Sequence, residues 1–290
     1  MPSQFRTIAL IGKPDAPRIA DTLAAIHSYL LTSGLEILVE HGCAGLFPRS
    51  ARTGTMPELA RQADIAVVVG GDGTLLGAAR SLYAHGVPLV GINLGRLGFL
   101  VDISPNEAVD KLHAILSGAC RAEERYPLTA RLIRNGQTIA QGSAINEVVV
   151  HSGSATSMIE LETAIDGMFL NSQRSDGLIV STPTGSTAYA LSAGGPILYP
   201  TLNATVLAPI NPHTLSNRPI VISGDSLVTI AFRPNKEFRA QVSCDNVPFP
   251  DVGIEDRIEI RKAERPFRIL HPTDYDFFQI LRHKLNWSNR

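Results

Sequence analysis

Three glycines in four residues, Gly70-Gly71-Asp72-Gly73, stand between a wholly apolar run at 65–69 and a helix-forming stretch that opens at Thr74. Such a turn lets backbone amides approach and face an anion, and the N-terminal end of the next helix adds positive potential, so phosphate is the natural guest. A carboxylate there repels phosphate unless it contacts Mg²⁺ or takes a proton from an attacking hydroxyl, and Asp72 suits either role. The simpler alternative on these residues alone is a tight turn in which Asp72 caps the helix. Gly12-Lys13-Pro14 lacks the Gly-Lys-Ser/Thr of a P-loop. Gly71, Gly73 and Gly77 fit a looser dinucleotide-binding spacing. That fingerprint normally follows the first strand of its domain, whereas this turn follows the third predicted one.

A second chemistry-bearing stretch runs from Arg174 to Tyr189, where a short apolar strand enters a turn crowded with Ser and Thr. Five of the seven residues from Ser181 to Thr187 carry hydroxyls, more than a helix cap requires, which suits a ligand rich in hydrogen-bonding groups such as a nucleotide. Tyr189 offers a ring that stacks on a base or packs on its own helix. Asn146-Glu147, at the head of the apolar run Val148-Val149-Val150, can grip a ribose or a base, although a solvated strand end reads the same way.

These segments need positioning elements, and hydrophobic periodicity supplies them. Strands are predicted at 5–11, 35–39, 65–69 and 87–92, alternating with helices at 16–31, 57–63, 74–83 and 105–116. Ile19, Leu23, Ile26 and Leu30 share one helical face, and Ile65-Ala66-Val67-Val68-Val69 is apolar throughout, as a parallel strand buried on both faces must be. The alternation predicts an α/β domain with a parallel, Rossmann-like sheet over residues 1–122. From 123 to 273 the chain offers shorter strands and hairpin signals, Asn135-Gly136 and Asp166-Gly167, predicting a β-rich C-terminal domain. Further strands are predicted at 178–181, 206–209, 226–232, 238–243 and 257–261, with one helix near 186–193. The tail at 274–290 reads as helical, with Phe278, Leu281 and Leu285 on one face, and is expected to return to the first domain.

Composition excludes several classes. With 26 basic and 27 acidic residues and no run of like charge, a protein organised around a nucleic-acid backbone is not expected. No apolar run approaches the ~20 residues of a membrane helix, and the opening Met-Pro-Ser-Gln-Phe-Arg carries no leader pattern, so a cytoplasmic protein without membrane partners is expected. Cys43, Cys120 and Cys244 form no CxxC, and the eight histidines no HExxH. Free thiols and structural roles for His213 and His271 follow.

With these motifs assembled, the sequence resembles the NAD kinases, most closely the bacterial type. The likeness rests on Gly70-Gly71-Asp72-Gly73-Thr74, Asn93-Leu94-Gly95-Arg96-Leu97-Gly98-Phe99-Leu100, Asn146-Glu147, the stretch from Arg174 to Tyr189, Gly194-Gly195-Pro196 and Pro212-His213-Thr214-Leu215-Ser216-Asn217-Arg218-Pro219. The glycine turn alone is shared with diacylglycerol kinases and relatives of phosphofructokinase. The resemblance implies transfer of the γ-phosphoryl group of ATP to the 2′-hydroxyl of the adenosine ribose of NAD⁺, with Mg²⁺. It implies Asp72 as proton acceptor, and nucleotide contacts from Asp72, Gly73, Asn146, Glu147, Arg174, Asp176, Thr187, Ala188, Tyr189, Ala190, Leu191 and Ser192. A homo-oligomer, dimer or tetramer, is implied as well. Two positions depart from the family pattern: Ser157, where relatives often carry a basic residue, and Val247 after Asp245-Asn246, where they often carry Gln. A lipid kinase built on the same turn and a non-catalytic dinucleotide-binding protein are the alternatives.

Overall fold

The computed structural model describes residues 5–14, 19–95, 97–153, 158–233 and 238–287. Arg96 and Ser157, both singled out above, lie outside these. The chain divides into two compact units, Met1–Glu124 with Arg265–Arg290, and Arg125–Glu264.

In the first unit a seven-stranded sheet runs in the order Thr53–Gly54, Glu36–Glu40, Thr7–Gly12, Ile65–Val69, Leu89–Ile92, Phe267–His271 and Arg121–Arg125. The pairings from Thr53–Gly54 to Phe267–His271 are parallel. Ile65–Val69 lies in mid-sheet with every side chain buried, as its uniform apolarity requires. The helix Ile19–Thr32 buries Ile19, Leu23, Ile26 and Leu30 against the sheet core, the stripe its periodicity predicts. After Thr7–Gly12 the chain builds outward on one side, and after Ile65–Val69 on the other. The adjacent carboxyl ends of these two strands therefore form a topological switch point, where open α/β sheets bind ligands. The Gly70–Thr74 turn stands there, with Gly70 N–H donating to the Ile92 carbonyl at 2.9 Å.

The second unit holds two six-stranded sheets. One runs Met168–Ser175, Ile159–Ile165, Val228–Phe232, Arg257–Lys262, Leu128–Arg134, Gln137–Ala144; the other Ile220–Ser223, Ala204–Ile210, Gly177–Ser181, Glu147–Ser152, Ala240–Cys244, Val247–Pro248. Their inner faces share one core, in which Leu132, Leu161, Ile230 and Ile260 meet Val148, Val150, Leu178 and Val242. Both predicted hairpins form, with φ of 49° and 77° at Asn135-Gly136 and 50° and 80° at Asp166-Gly167, the left-handed pair that a two-residue turn demands.

Several elements differ from expectation. The terminal helix is Phe277–Leu285, and it buries Phe277, Ile280 and Leu281, while Phe278 is exposed. The predicted stripe is thus out of phase: Leu281 belongs to it, but the aromatic that packs is Phe277, four residues before Leu281 on the same helical face. The helix predicted near 186–193 is one 3₁₀ turn, Gly185–Thr187, followed by a short α-turn, Tyr189–Ser192. The strands Arg121–Arg125 and Phe267–His271 went unforeseen because charged residues break their apolar pattern.

Candidate active site

Asp72 is the first residue of the helix Asp72–Leu82, with Gly71 as the cap position. Its carboxylate does not cap that helix. It reaches a second segment and accepts three consecutive backbone N–H groups, Phe99 on Oδ2 at 2.9 Å, and Leu100 and Val101 on Oδ1 at 2.9 and 3.3 Å. An ionised carboxylate has about four acceptor positions. Among the described residues three are taken, and the open one belongs to Oδ2. Gly98 makes this approach possible, because a Cβ there would lie 2.1 Å from Asp72 Oδ1. Gly98 N–H closes the turn on the Val101 carbonyl at 3.0 Å.

The glycines of the turn have separate reasons. A Cβ on Gly70 would meet Thr74 Oγ1 at 2.5 Å, so Gly70 is required by packing. Around Gly71 and Gly73 no atom lies within 4 Å of such a Cβ, and neither residue has a positive φ. Neither conformation nor neighbours call for glycine there. What the pair leaves is bare backbone at a helix N-terminus, room in which a phosphate can approach the amides. Gly77, the last glycine of the dinucleotide-type spacing, lies inside the helix.

In the second unit the two-residue alternation of a strand sorts the Glu147–Ser152 residues. Val148 and Val150 enter the inter-sheet core, which puts Glu147, Val149 and His151 on the opposite face. Val149 and His151 line a cavity of about 330 Å³ together with Ser152, Asp176, Tyr189, Ile210, Asn211, Ser243 and Asn246. Tyr189 is 45% exposed, so its ring is not committed to helix packing. Asn211, held at φ 44°, donates through Nδ2 to Asp176 Oδ2 at 2.8 Å and aims that carboxylate.

Asp245 organises the mouth of the same face. Its carboxylate accepts the N–H groups of Ile145, Asn146 and Glu147 at 2.5, 2.9 and 3.1 Å, and its own N–H donates to the Glu147 carbonyl at 3.1 Å. Glu147 is buried, and Oε2 makes no hydrogen bond among the described residues. Burial and the charge of Asp245 push the Glu147 carboxyl up to about 7, against the opposing pull of the Tyr189 backbone N–H. Near neutral pH this group divides between an O–H donor and a carboxylate.

Of the residues expected to meet a nucleotide, the structure gathers Asp176 and Tyr189 on one cavity, with Glu147 tied to the Tyr189 backbone. Arg174 stands exposed on the edge strand Met168–Ser175 and does not line the cavity. Thr187, Ala188 and Leu191 are partly accessible and Ser192 is exposed, whereas Ala190 is sealed in a small core with Val149, Ile179 and Leu198.

The hydroxyl-rich stretch requires correction. Ser181, Thr182, Thr184 and Ser186 are buried. Thr182 Oγ1 donates to the Ile145 carbonyl at 2.7 Å and accepts Gly185 N–H at 3.0 Å; Ser186 Oγ donates to the Pro183 carbonyl at 2.7 Å and accepts Leu198 N–H at 2.9 Å. These hydroxyls satisfy backbone groups in an irregular buried turn, where unpaired polar atoms are costly. Thr187 is the only hydroxyl of the five that is not buried. His151, Asn211 and Ser243 are not singled out by the sequence, and Asp245 enters there only through the family pattern around Asp245-Asn246-Val247. The Asp245-Asn246 dipeptide between apolar runs was the one available signal, and with φ of 45° and 65° it forms a hairpin turn like the two foreseen.

Among the described residues no group of three or more His, Cys, Asp and Glu side chains can hold a metal ion. Magnesium needs no such cage, since it usually binds through one or two carboxylates, waters and substrate phosphates. No helix of the described residues is long and apolar enough to cross a membrane.

Comparison with known proteins adds identity to this geometry. Residues 8–120 match the model of the ATP-NAD kinase N-terminal domain, and residues 145–272 that of the ATP-NAD kinase C-terminal domain. The chain is 99% identical over 290 residues to an NAD kinase of Methylococcus capsulatus, with all of both chains covered. It is 46% identical to one of Colwellia psychrerythraea, covering 100% of this chain and 99% of that one. Among solved structures, yeast NADH kinase complexed with NADH superposes with a TM-score of 0.88 at 25% identity, covering 98% of this chain and 89% of that one. An NAD kinase from Archaeoglobus fulgidus in complex with ATP gives 0.75 at 27% identity, covering 97% and 98%.

Proposed function

This chain belongs to the NAD kinase family, and from that premise we propose how its residues carry out the reaction. The enzyme transfers the γ-phosphoryl group of ATP to the 2′-hydroxyl of the adenosine ribose of NAD⁺, giving NADP⁺ and ADP. The ribose oxygen attacks phosphorus, the bond from phosphorus to the ADP oxygen breaks, and ADP leaves with the electron pair. The hydroxyl proton passes to Asp72. The observation that carries this assignment is the acceptor position left open on Asp72 Oδ2 among the described residues, beside a helix N-terminus whose turn glycines leave the backbone bare. Catalysis of this kind is largely positioning and charge stabilisation.

Gly73 and the open amides of the turn hold phosphate. A magnesium ion carried in with the triphosphate would be held largely by the substrate phosphates and would supply charge neutralisation on the transferring group. In the second unit Asp176, Asn146, Glu147 and Tyr189 bind the dinucleotide, Glu147 offering its O–H to an acceptor atom and Tyr189 a face for a planar ring. Arg174, Thr187, Ala188, Leu191 and Ser192 complete the contact set that the family pattern assigns, while Ala190, sealed in its core, supports the turn from beneath.

Release of ADP with NAD⁺ as sole acceptor, and a ³¹P resonance from a 2′-phosphomonoester in the product, test the reaction. Transfer to diacylglycerol instead, or NAD⁺ binding without ADP release, would overturn it. We extend the proposal to a cytoplasmic homo-oligomer, dimer or tetramer. Phe169 is 67% and Leu215 95% exposed, and Leu170 and Ser216 line one cavity beside them, apolar surface that a second copy would cover. Sedimentation equilibrium of the wild type and of Phe169→Glu tests this; a monomeric wild type would refute it.

A further inference from the structure

The first unit contains a buried ionisable cluster that the reaction does not use directly. His271, at the end of the strand Phe267–His271, has no exposed surface. Its Nδ1 lies 3.0 Å from Asp102 Oδ2, and its Nε2 3.9 Å from Glu123 Oε1. Because a carboxylate only accepts, Nδ1 carries the proton that it shares with Asp102. The imidazole also stacks on Tyr275, with centroids 3.7 Å apart and planes 14° from parallel. A buried histidine set between two carboxylates is an expensive arrangement for packing alone, since each group must be desolvated.

Its place in the chain supplies a reason. Asp102 directly follows Phe99, Leu100 and Val101, whose amides hold the Asp72 carboxylate. The segment that presents those amides is tied at three places. Gly98 N–H bonds the Val101 carbonyl, Ile103 pairs with Ile92 as an isolated bridge, and Asp102 between them is held by His271. The helix Phe277–Leu285 adds Lys284, whose Nζ lies 5.7 Å from the Phe99 ring centre. The return of the chain to the first unit, 169 residues after Asp102, therefore closes on the backbone that aims the carboxylate.

We propose that His271 is a positioning residue for Asp72, acting through Asp102 and the amides of 99–101. This rests on the reading of Asp72 as the proton acceptor. His271 touches no substrate; it fixes the segment whose N–H groups leave Asp72 Oδ2 with its one open acceptor position. Misplacing a reacting group by about 1 Å costs on the order of 100-fold in rate, so loss of this anchor should cost about 10–100-fold in kcat.

The test is a double-mutant cycle read in kcat, with KM for NAD⁺ and ATP measured alongside. His271→Ala should lower kcat about 10–100-fold in the wild-type background while both KM values stay within about threefold. In the Asp72→Asn background the same change should cost almost nothing, because the residue through which it acts is already gone. An equal loss in both backgrounds would reduce His271 to a structural role and overturn the proposal, as would no loss in either. A second pair covers the case in which His271→Ala does not fold. His271→Asn places an amide donor near the position of Nδ1 and should retain most of the turnover, whereas His271→Gln places it near Nε2 and should not. Equal activity of these two variants also overturns the proposal. Near-normal turnover of Asp72→Asn itself would sink the proton-acceptor reading, an outcome distinct from additivity in the cycle.

Discussion

The two units use one backbone device for different ends. In each, an aspartate gathers three consecutive amides from a distant segment: Asp72 those of 99–101, Asp245 those of 145–147. Asp72 stands at an open glycine turn with an acceptor position to spare. Asp245 accepts the amides of 145–147 while its own N–H binds the Glu147 carbonyl, and its charge falls on the Glu147 carboxyl. The first arrangement leaves a carboxylate free to take a proton. The second holds a loop in place and raises a neighbouring acid to about 7, so that near neutral pH part of it carries an O–H able to donate a hydrogen bond. The hydrogen-bond pattern alone does not separate the proposed proton acceptor from a scaffolding carboxylate; the two differ in their remaining acceptor position and in their neighbours.

The sharpest way to break this comparison is to remove the charge from each aspartate. Asp72→Asn should fold and lose about 10²–10⁴-fold in turnover, read by ADP release, because an amide takes no proton. Asp245→Ala should act on stability first. Three amides lose their acceptor, and urea unfolding of the variant should show a loss of about 3 kcal/mol. If Asp245→Ala instead kept full stability and lost turnover as Asp72→Asn does, the division of labour would be wrong.

Glu147 sharpens the contrast through pH. Its carboxyl is raised in the folded protein, from an ordinary 4.5 to about 7, so the folded state binds more protons than the unfolded state between those values. Stability from this group is then complete below about 4.5 and is lost as pH rises through 7, by about 3 kcal/mol in all. Glu147→Gln, which keeps a donor and cannot ionise, should remove that decline. Its melting temperature should draw level with or exceed that of the wild type at pH 8.5 but not at pH 5, and parallel curves for the two proteins would refute the assignment. The smallest effect is expected at Gly98→Ala. The new Cβ displaces the Asp72 carboxylate, and kcat should fall roughly tenfold with the fold retained, since a misplaced base still reaches part of the time. Unchanged kcat would mean that the amide cradle does not aim Asp72.

Much of the fold was legible locally. The stripe Ile19, Leu23, Ile26, Leu30, the apolar strand Ile65–Val69 and the Asn135-Gly136 and Asp166-Gly167 turns all appear where periodicity and turn chemistry put them. Of the candidate site, Asp72 and its glycines could be named, and Asp176 and Tyr189 do share a cavity. The hydroxyls of 181–186 misled, because Ser and Thr serve buried turns and ligands with the same chemistry. Asn211 and His151 gave no local sign, since their importance lies in which strands the segments carrying them meet.

The sequence by itself determined the periods, the turns and the residues able to bear charge, because these depend on neighbours within a few positions along the chain. The tertiary structure alone decided which carboxylate meets which amides. Asp72 finds its partners 27 to 29 residues away, Asp245 its own 98 to 100 away, and His271 reaches Asp102 across 169. A partly buried carboxylate is stabilised by N–H donors, yet any open run of N–H groups would serve. Only the packing of whole elements selects one run, and with it the direction in which the remaining lone pair points.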